Sequence, residues 1–409
     1  MTSQGSEAHH TRCCIVGGGP AGMMLGYLLA RAGVEVVVLE KHADFLRDFR
    51  GDTIHPSTLE VMYELGLLDE FLRRPHERIE RVSVDVGGVP LQVADLTHLP
   101  THCKFIALMP QWDFLDFLAD HATPYPNFHL MMQAEAVDLI QADGRVTGVR
   151  VKTPQGMLDV NADLVVGADG RRSIIREKAG LTVMDIGAPM DVLWMRISRV
   201  PTDPGQLQGR IAPGQLLALI DRNTYWQCAY VIAKGSFDQI RQKGLDALRG
   251  AIAKLAPYIA DRVDELRSWD DVKLLTVAAD RLQQWSKPGL LCIGDAAHAM
   301  SPIGGIGINL AIQDAVAAAN ILGPVLKQGP ADEAQLALVQ KRRETPTRLT
   351  QRLQVLIQNR MIRGVLGSQG SIAAPWFVRL FFSWPFSRRL PARVIGMGFR
   401  PEHVHLPAS

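Results

Sequence analysis

Residues 13–22 read Cys-Cys-Ile-Val-Gly-Gly-Gly-Pro-Ala-Gly, an apolar run followed directly by a glycine-rich turn. The apolar run, 13–16, is typical of a buried parallel strand, and apolar residues recur at helical spacing over 23–32. A second β-branched strand over 34–39 then ends at Glu40. This order of strand, turn, helix and strand predicts an α/β protein built on a parallel sheet.

The turn of this unit has the spacing Gly-x-Gly-x-x-Gly. Gly17 permits a tight turn, Gly19 lets the backbone approach a pyrophosphate closely, and Gly22 allows the helix to pack tightly on the strand. The helix starts at Pro20, and from Ala21 onward its first turn offers free amides and the positive end of the helix dipole to phosphates. These features together predict a dinucleotide-binding turn in a Rossmann-like unit.

An acidic residue stands at the end of the second strand of this unit. Glu40 lies where a carboxylate can hold both hydroxyls of a ribose, and Lys41 follows it directly. We expect both residues to contact the nucleotide end of the cofactor.

Composition narrows the class of protein. The chain has 409 residues, 47% of them hydrophobic, and 44 Lys+Arg stand against 42 Asp+Glu for a formal charge of +2. This length predicts two or three domains, or one large domain with an insertion. The near-neutral charge argues against dedicated nucleic-acid binding.

The cysteines and the apolar runs indicate a compartment. Five cysteines without Cys-x-x-Cys spacing favour neither a disulfide framework nor a metal site, and they are typical of the reducing cytoplasm. The uncharged run 13–30 nearly has the length of a membrane span, but the glycines and proline at 17–20 interrupt it. No secretory signal precedes it.

A second glycine-rich turn follows the apolar strand 290–293. It reads Gly-Asp-Ala-Ala-His over 294–298 and is followed by Pro302, Gly305, Gly307, Ile308 and Asn309. Asp295 would accept hydrogen bonds from the ribityl chain of a flavin, and the glycines would let the next helix start approach the ring. The helix dipole there favours an anionic reduced flavin. The alternative is a helix cap with a structural turn.

A third turn, Gly167-Ala168-Asp169-Gly170, follows the strand 164–166, with Ser173 and Arg176 next. Taken alone, it is equally compatible with an ordinary Asp-Gly turn.

In their order and spacing along the chain, the three turns resemble those of the flavoprotein aromatic hydroxylases, which include para-hydroxybenzoate hydroxylase and the ubiquinone-biosynthesis hydroxylases. The resemblance runs from Cys14 to about Leu326, and its most specific part is the stretch from Gly294 to Asn309. It implies an FAD cofactor. One departure is Ala21, where some members have a serine that contacts phosphate.

The resemblance implies further FAD contacts. It implies an arginine near the pyrophosphate and the mobile flavin at Arg50, a glutamine contact at Gln111, and use of Asp169 and Gly170 toward both FAD and NAD(P)H. The implied flavin-side contacts are Asp295, Pro302, Ile308 and Asn309.

The family fold implies a discontinuous Rossmann-like FAD-binding domain over 1–78, 103–179 and 280–330. An inserted β-sheet substrate domain is expected over 79–102 and 180–279, with a helical C-terminal segment over 331–409. No second Gly-x-Gly-x-x-Gly stands between a strand and a helix, so NAD(P)H is expected to have no domain of its own.

The implied activity is an FAD-dependent, NAD(P)H-using monooxygenase. It would hydroxylate an electron-rich aromatic or quinol-like substrate with O2, through a flavin C4a-hydroperoxide. The rivals are a flavin reductase or dehydrogenase on the same fold and a flavin-binding protein without turnover. No catalytic residue is assigned, because we interpret His55 and His298 as residues that stabilise the structure by packing and hydrogen bonding.

The C-terminal segment has an unusual composition. Six aromatic residues lie within 376–386, and arginines flank them up to residue 393. We expect either a weak contact with a membrane interface, a helix packed on the FAD-binding domain, or a dimer contact, with the protein a monomer or a homodimer.

Overall fold

Two large β-sheets organise the part of the chain that the computed structural model describes, residues 9–46, 53–205, 208–362, 365 and 376–405. Their strands, with those of two small sheets, are β1 His9–Val16, β2 Val36–Glu40, β3 Thr53–Ile54, β4 Glu77–Ile79, β5 Arg81–Val86, β6 Val89–Asp95, β7 Ile106–Leu108, β8 Phe128–Met132, β9 Glu135–Ala142, β10 Arg145–Thr153, β11 Gly156–Gly167, β12 Val183–Asp185, β13 Met190–Ser198, β14 Gln208–Ala212, β15 Gln215–Asp221, β16 Tyr225–Ala233, β17 Lys273–Leu275, β18 Asp280–Leu282, β19 Ser286–Lys287 and β20 Leu290–Cys292.

The helices of the described residues connect and cover these sheets. They are α1 Pro20–Arg31, α2 Pro56–Glu64, α3 Leu68–Phe71, α4 Gln111–Ala122, α5 Ile174–Lys178, α6 Phe237–Gln242, α7 Leu245–Leu255, α8 Ile306–Leu326, α9 Glu333–Ile357, α10 Trp376–Ser383 and α11 Pro385–Met397.

The first sheet has the order β19-β20-β11-β1-β2-β8, and β10 and β9 extend it from β11. The neighbours β20, β11, β1, β2 and β8 all run parallel. The central strands are buried on both faces, as all-parallel sheets require, and this explains their continuous apolar runs. The α/β fold expected from residues 13–40 is confirmed.

The long Ala-rich helix α8 packs against α1 beside this sheet. The stretch 303–326 is apolar and long enough to cross a membrane, but 72% of its most apolar window is buried inside the protein. Small alanine side chains let α8 approach its neighbours closely, which is typical of a core helix.

The second sheet has the order β17-β13-β16-β15-β14-β5-β6. The weak alternation of Val82, Val84 and Val86 predicts a hairpin within 79–102, and the hairpin β5–β6 forms the edge of this sheet, where β5 pairs in parallel with β14. Helix α7 covers one face of this sheet with a core that includes Trp226, Cys228 and Tyr230. These three side chains therefore pack in the core of the second sheet.

One local pattern is misleading. The capping-box spacing of Ser57 and Glu60 predicts Ser57 as an N-cap residue, but α2 begins at Pro56 with His55 as its N-cap residue and no side-chain cap. Proline fits the first helical position because its missing N–H has no partner there anyway, and this places Ser57 inside the helix. Glu60 instead accepts hydrogen bonds from the backbone and the ring of His102.

Candidate active site

The three glycine-rich turns meet at one edge of the first sheet. They follow β1, β11 and β20, which are adjacent and parallel, so the carboxyl ends of the three strands lie side by side. A Cβ on Gly17 would lie 2.4 Å from the carbonyl oxygen of Ala168, and one on Gly294 would lie 3.1 Å from the Cβ of Ala21. This edge is where open parallel sheets bind ligands.

The glycines of the first turn have different roles. Gly17 has a φ of +109°, and a Cβ on Gly22 would lie 2.0 Å from the carbonyl oxygen of Gly17, so both positions require glycine for close packing. A Cβ on Gly19 would meet nothing within 4 Å. Gly19 therefore faces open space directly at the start of α1.

The start of α1 can bind an anion. Its N-cap residue, Gly19, makes no side-chain cap hydrogen bond, and Pro20 takes the first helical position. The first-turn amides of a helix have no partner within the helix, and the helix dipole adds positive potential there. Open space at Gly19 and these amides together form a cradle for a phosphate.

The carboxylate of Glu40 lies against this cradle. Its Oε2 accepts a hydrogen bond from the backbone N–H of Gly18 at 3.1 Å, and its Oε1 accepts one from that of His42 at 3.0 Å. Lys41 is exposed beside it. The geometry brings the predicted nucleotide-end residues together.

Asp169 organises the loop after β11. Its Oδ1 accepts a hydrogen bond from Ser173 Oγ at 2.5 Å and its Oδ2 accepts one from the backbone N–H of Ile175 at 3.2 Å. Burial raises the pKa of its carboxyl group, although these hydrogen bonds oppose the shift. The side chain thus shapes the loop that carries Gly170 and the residues after it, whose position at the sheet edge follows from β11.

Arg171, which follows this loop's Asp-Gly pair, was not among the predicted residues. Its Nε donates a hydrogen bond to Asp295 Oδ2 at 3.0 Å, and both side chains are about one-third exposed. The pair joins the second and third turns. Sequence reasoning had no signal for this pairing, because the two residues are 124 positions apart.

A buried charge network supports the 294–298 turn from behind. Asp314 Oδ2 accepts hydrogen bonds from the Gly294 backbone N–H at 3.1 Å and contacts His298 Nε2 at 2.5 Å, while Oδ1 accepts one from Arg343 Nε at 2.9 Å. Arg343 also donates to Glu402 at 3.1 Å. Burial raises the pKa of Asp314, but His298 and Arg343 outweigh it and hold that pKa below its usual value.

The start of α8 faces the same edge. Gly304 and Gly305 have φ values of +78° and +62°, and this left-handed turn leads from Pro302 into a helix whose N-cap residue, Gly305, makes no side-chain cap hydrogen bond. The first-turn amides, at Ile306, Gly307 and Ile308, are therefore available to a ligand.

The side chain of Asn309 is fully occupied by hydrogen bonds within the protein. Its Oδ1 accepts hydrogen bonds from the His55 backbone N–H and Thr58 Oγ1, both at 2.8 Å. Its Nδ2 donates to the carbonyl oxygens of Thr53 at 3.0 Å and Gly305 at 3.2 Å. The side chain ties α8 to the segment 53–58 and leaves no free polar atom for a flavin.

One further predicted contact, Gln111, lies beside this segment. Gln111 begins α4, directly after β7, and β7 pairs with the strand that starts at Thr53. Arg50 lies outside the described residues. His55 is fully buried, its Nδ1 lies 2.7 Å from the Ile395 carbonyl oxygen, and burial lowers its pKa to about 4.

An apolar wall adjoins the α8 turn. Ile303 packs against the face of the second sheet that is opposite α7, where the buried hydrophobic residues are Met190, Val192, Ala229, Val231 and the nearby Val277. The wall therefore brings the second sheet into contact with the turn that carries Gly305 and Gly307.

Known proteins share this sequence and this fold. The family described as FAD binding domain matches residues 10–353. A 6-methylpretetramide 4-monooxygenase from Streptomyces rimosus is 33% identical over 359 residues, which cover 87% of this chain and 85% of that protein. A dialkyldecalin synthase from Streptomyces rugosporus is 28% identical over 324 residues, which cover 74% of this chain and 63% of that protein.

Among solved structures, the p-nitrophenol 4-monooxygenase of Pseudomonas putida DLL-E4 is similar with a TM-score of 0.75 over 95% of this chain and 96% of that one. At 20% identity, this likeness shows the shared fold. The family match and the 33% identical relative carry the assignment further. The chain belongs to the FAD-dependent monooxygenase family of flavoprotein aromatic hydroxylases that its three turns resemble.

Proposed function

We propose that this enzyme uses NAD(P)H and O2 to hydroxylate an electron-rich aromatic or quinol-like small molecule. The observation that carries the proposal is the meeting of three turns at one sheet edge, beside an apolar wall on the second sheet. The edge fits a long dinucleotide and the wall fits a flat organic substrate.

FAD fits the residues at this edge. Open space at Gly19 and the free amides of α1 would accept the pyrophosphate, and Glu40, with Lys41 beside it, would bind the adenosine ribose. Asp295 would bind the ribityl chain, since its carboxylate is accessible and held in place by Arg171.

The flavin ring would lie at the start of α8. The amides of Gly307 and Ile308 would donate hydrogen bonds to it, with Pro302 and Gly305 shaping the turn. We assign Asn309 a positioning role, because its side chain holds this helix start to the segment 53–58. We keep Gln111, Asp169, Gly170 and Arg50 as proposed contacts, the last on the grounds of the resemblance alone.

Bound reduced flavin supplies the chemistry, which is the activation of O2 and the transfer of one oxygen atom. The chain supports that chemistry by excluding water. The hydrophobic side chains of Ile303 and the apolar wall would shield a substrate held there from water.

The substrate class follows from this wall and from the relatives. The 33% identical relative is named for 6-methylpretetramide, and the structural neighbour is named for p-nitrophenol. We propose an aromatic substrate and no sequence-specific partner such as nucleic acid. We further propose the domain division expected from the sequence and a cytoplasmic location, the latter supported by five cysteines that are all buried free thiols.

One observation favours a second function. A relative is named a dialkyldecalin synthase, a name that states no oxygen insertion. This chain would then bind FAD without hydroxylating its substrate, or act as a flavin reductase.

The test combines substrate-stimulated NAD(P)H oxidation with mass measurement of the product. The purified, FAD-loaded enzyme is offered 6-methylpretetramide, p-nitrophenol and a panel of phenols and quinols under ¹⁸O-labelled O2. We expect one substrate to stimulate NAD(P)H oxidation and to gain one labelled oxygen atom. Label found only in hydrogen peroxide across the panel, or turnover without O2, would favour the second function.

A further inference from the structure

Fourteen large apolar side chains of the described residues are exposed, and they are concentrated in the C-terminal helices α10 and α11 and at Trp384 between them. Six of them form what we call the aromatic patch: Trp376, Leu380, Phe381, Trp384, Phe386 and Leu390. Each of the six is between 55% and 75% exposed. Helices α10 and α11 contact each other, and a group of large exposed apolar side chains on adjoining helices marks an interaction site.

The patch does not result from loose attachment of these helices. The opposite side of α11 is in the core with Ala392, and a Cβ on Gly396 would lie 2.6 Å from Leu99 Cδ1. Arg388 Nη1 donates a hydrogen bond to Gln92 Oε1 of β6 at 2.7 Å. The helices are thus docked on the hairpin β5–β6, which holds the aromatic patch toward the outside.

The exposed residues of α11 share one face. Phe386, Leu390 and Arg393 are spaced by four and three positions, so they line one side of the helix, while Ala392 and Gly396 line the packed side. Trp376 and Leu380 are spaced by four positions on α10. Helix α11 therefore has one side packed on the protein and another side that exposes apolar side chains beside Arg393.

Positive charge accompanies the aromatic patch. Residues 376–401 contain five arginines and no lysine or acidic residue. Because the whole chain has a formal charge of only +2, the residues outside 376–401 have a net negative charge. Arg379 and Arg393 are exposed. The aspartates of the supporting hairpin do not neutralise them, because Asp85 pairs with Arg210 at 3.1 Å and Asp95 lies 3.6 Å from Arg81.

We propose that the aromatic patch docks this enzyme on an anionic membrane surface. Tryptophan and phenylalanine side chains insert at the boundary between headgroups and acyl chains, and arginines beside them bind lipid phosphates. A bilayer accepts protruding side chains without a matching pocket, whereas a protein partner would have to supply one for each of them. The complementary charge commits the site to anionic lipid.

The experiment measures sedimentation of the full-length, FAD-loaded protein with phosphatidylcholine vesicles that either contain or lack phosphatidylglycerol. We expect binding to the anionic vesicles and much weaker binding to the neutral ones, with high salt reducing the difference. The variant Phe386→Ser/Leu390→Ser should bind the anionic vesicles at least about tenfold more weakly, because both side chains lose their apolar insertion. The variant Arg379→Gln/Arg393→Gln should lose about fivefold for each arginine.

Matched controls separate the aromatic patch from general surface effects. The variant Leu338→Ser/Leu356→Ser removes two leucines of α9 that are 47% and 46% exposed, and it should bind like the wild type. All variants should keep bound FAD and the wild-type thermal midpoint, since none of these residues belongs to the cofactor edge.

Three results would overturn the proposal. The first is no sedimentation with either vesicle, and the second is equal binding by the wild type and the Phe386→Ser/Leu390→Ser variant. The third is a stable dimer in sedimentation velocity that this variant dissociates, without vesicle binding. That third result would assign the aromatic patch to a second copy of the chain.

Discussion

Arg171 Nε donates a hydrogen bond to Asp295 Oδ2 at 3.0 Å, and this contact joins the loop after β11 to the turn after β20. Both turns belong to the edge where we place FAD. The pair orients the carboxylate that we assign to the ribityl chain, so Arg171 acts on the cofactor through Asp295.

A double-mutant cycle tests this coupling. We expect Asp295→Ala and Arg171→Gln each to weaken FAD binding, with the double variant little weaker than Asp295→Ala alone. Because both side chains are about one-third exposed, the coupling free energy should be about 0.5–1 kcal/mol. The measurement is a titration of apoprotein with FAD, followed by fluorescence. Strictly additive effects would contradict the positioning role.

Gly19→Ala should weaken FAD binding without destabilising the apoprotein. A Cβ there meets no protein atom within 4 Å, so it would project into the space assigned to the pyrophosphate. A steric cost of about 1–3 kcal/mol corresponds to a Kd raised about fivefold to 150-fold. FAD titration and the thermal midpoint of the apoprotein measure the two effects.

Two other glycines serve as controls for Gly19. A Cβ on Gly329 would also meet nothing within 4 Å, but this residue lies after α8, away from the cofactor edge. Gly329→Ala should therefore change neither the FAD affinity nor the thermal midpoint. Gly22→Ala should destabilise the apoprotein itself, because its Cβ would lie 2.0 Å from the Gly17 carbonyl oxygen. Unchanged FAD affinity in Gly19→Ala would move the pyrophosphate elsewhere.

Glu40→Ala should also weaken FAD retention. Hydrogen bonds to a charged group contribute roughly 1.5–3 kcal/mol, so the Kd should rise about tenfold to a hundredfold. Glu135→Ala, which removes an exposed carboxylate from β9, is the control. Apoprotein reconstituted with FAD and then dialysed shows the retained cofactor by its absorbance, and equal retention by both variants would remove Glu40 from the site.

Asp314→Asn should destabilise the protein strongly. The carboxylate is fully buried between His298 and Arg343, and removing one charge of a buried pair costs about 3–5 kcal/mol. The thermal midpoint should fall by more than it does in Asp163→Asn, whose carboxylate pairs with the partly exposed Arg12. Equal losses would show that the network behind the 294–298 turn contributes no more than a surface ion pair.

His55 should make stability depend on pH. Burial lowers its pKa from 6.5 to about 4, so between these values the unfolded chain binds a proton that the folded protein does not. Stability is therefore full above pH 6.5 and decreases as the pH falls toward 4, by about 3 kcal/mol for this group.

The variant His55→Asn, which keeps a donor for the Ile395 carbonyl, should show a shallower loss over this window. Thermal midpoints of both proteins from pH 7 to pH 4 give the comparison, with the exposed His10→Asn as a control. Parallel curves for the wild type and His55→Asn would mean that His55 is protonated in the folded protein.

The amino-acid sequence alone determined the features that depend on neighbouring residues. The apolar run before Gly17, the glycine spacing and the helical pattern after it are local, so they predicted β1, the turn and α1. The same holds for the hairpin β5–β6 and for the turn before α8. The capping-box prediction at Ser57 was wrong even though it is local. Pro56 takes the first helical position, so Ser57 lies inside the helix and cannot be the N-cap residue.

Only the tertiary structure decided which residues meet. The strand order places turns from opposite ends of the chain side by side, and no local pattern encodes the pairing of Arg171 with Asp295. Asn309 shows the reason most clearly, since its motif position indicated a flavin contact. Buried polar atoms must find partners, and its side chain finds four of them in the segment 53–58 and Gly305, which the fold brings to the start of α8.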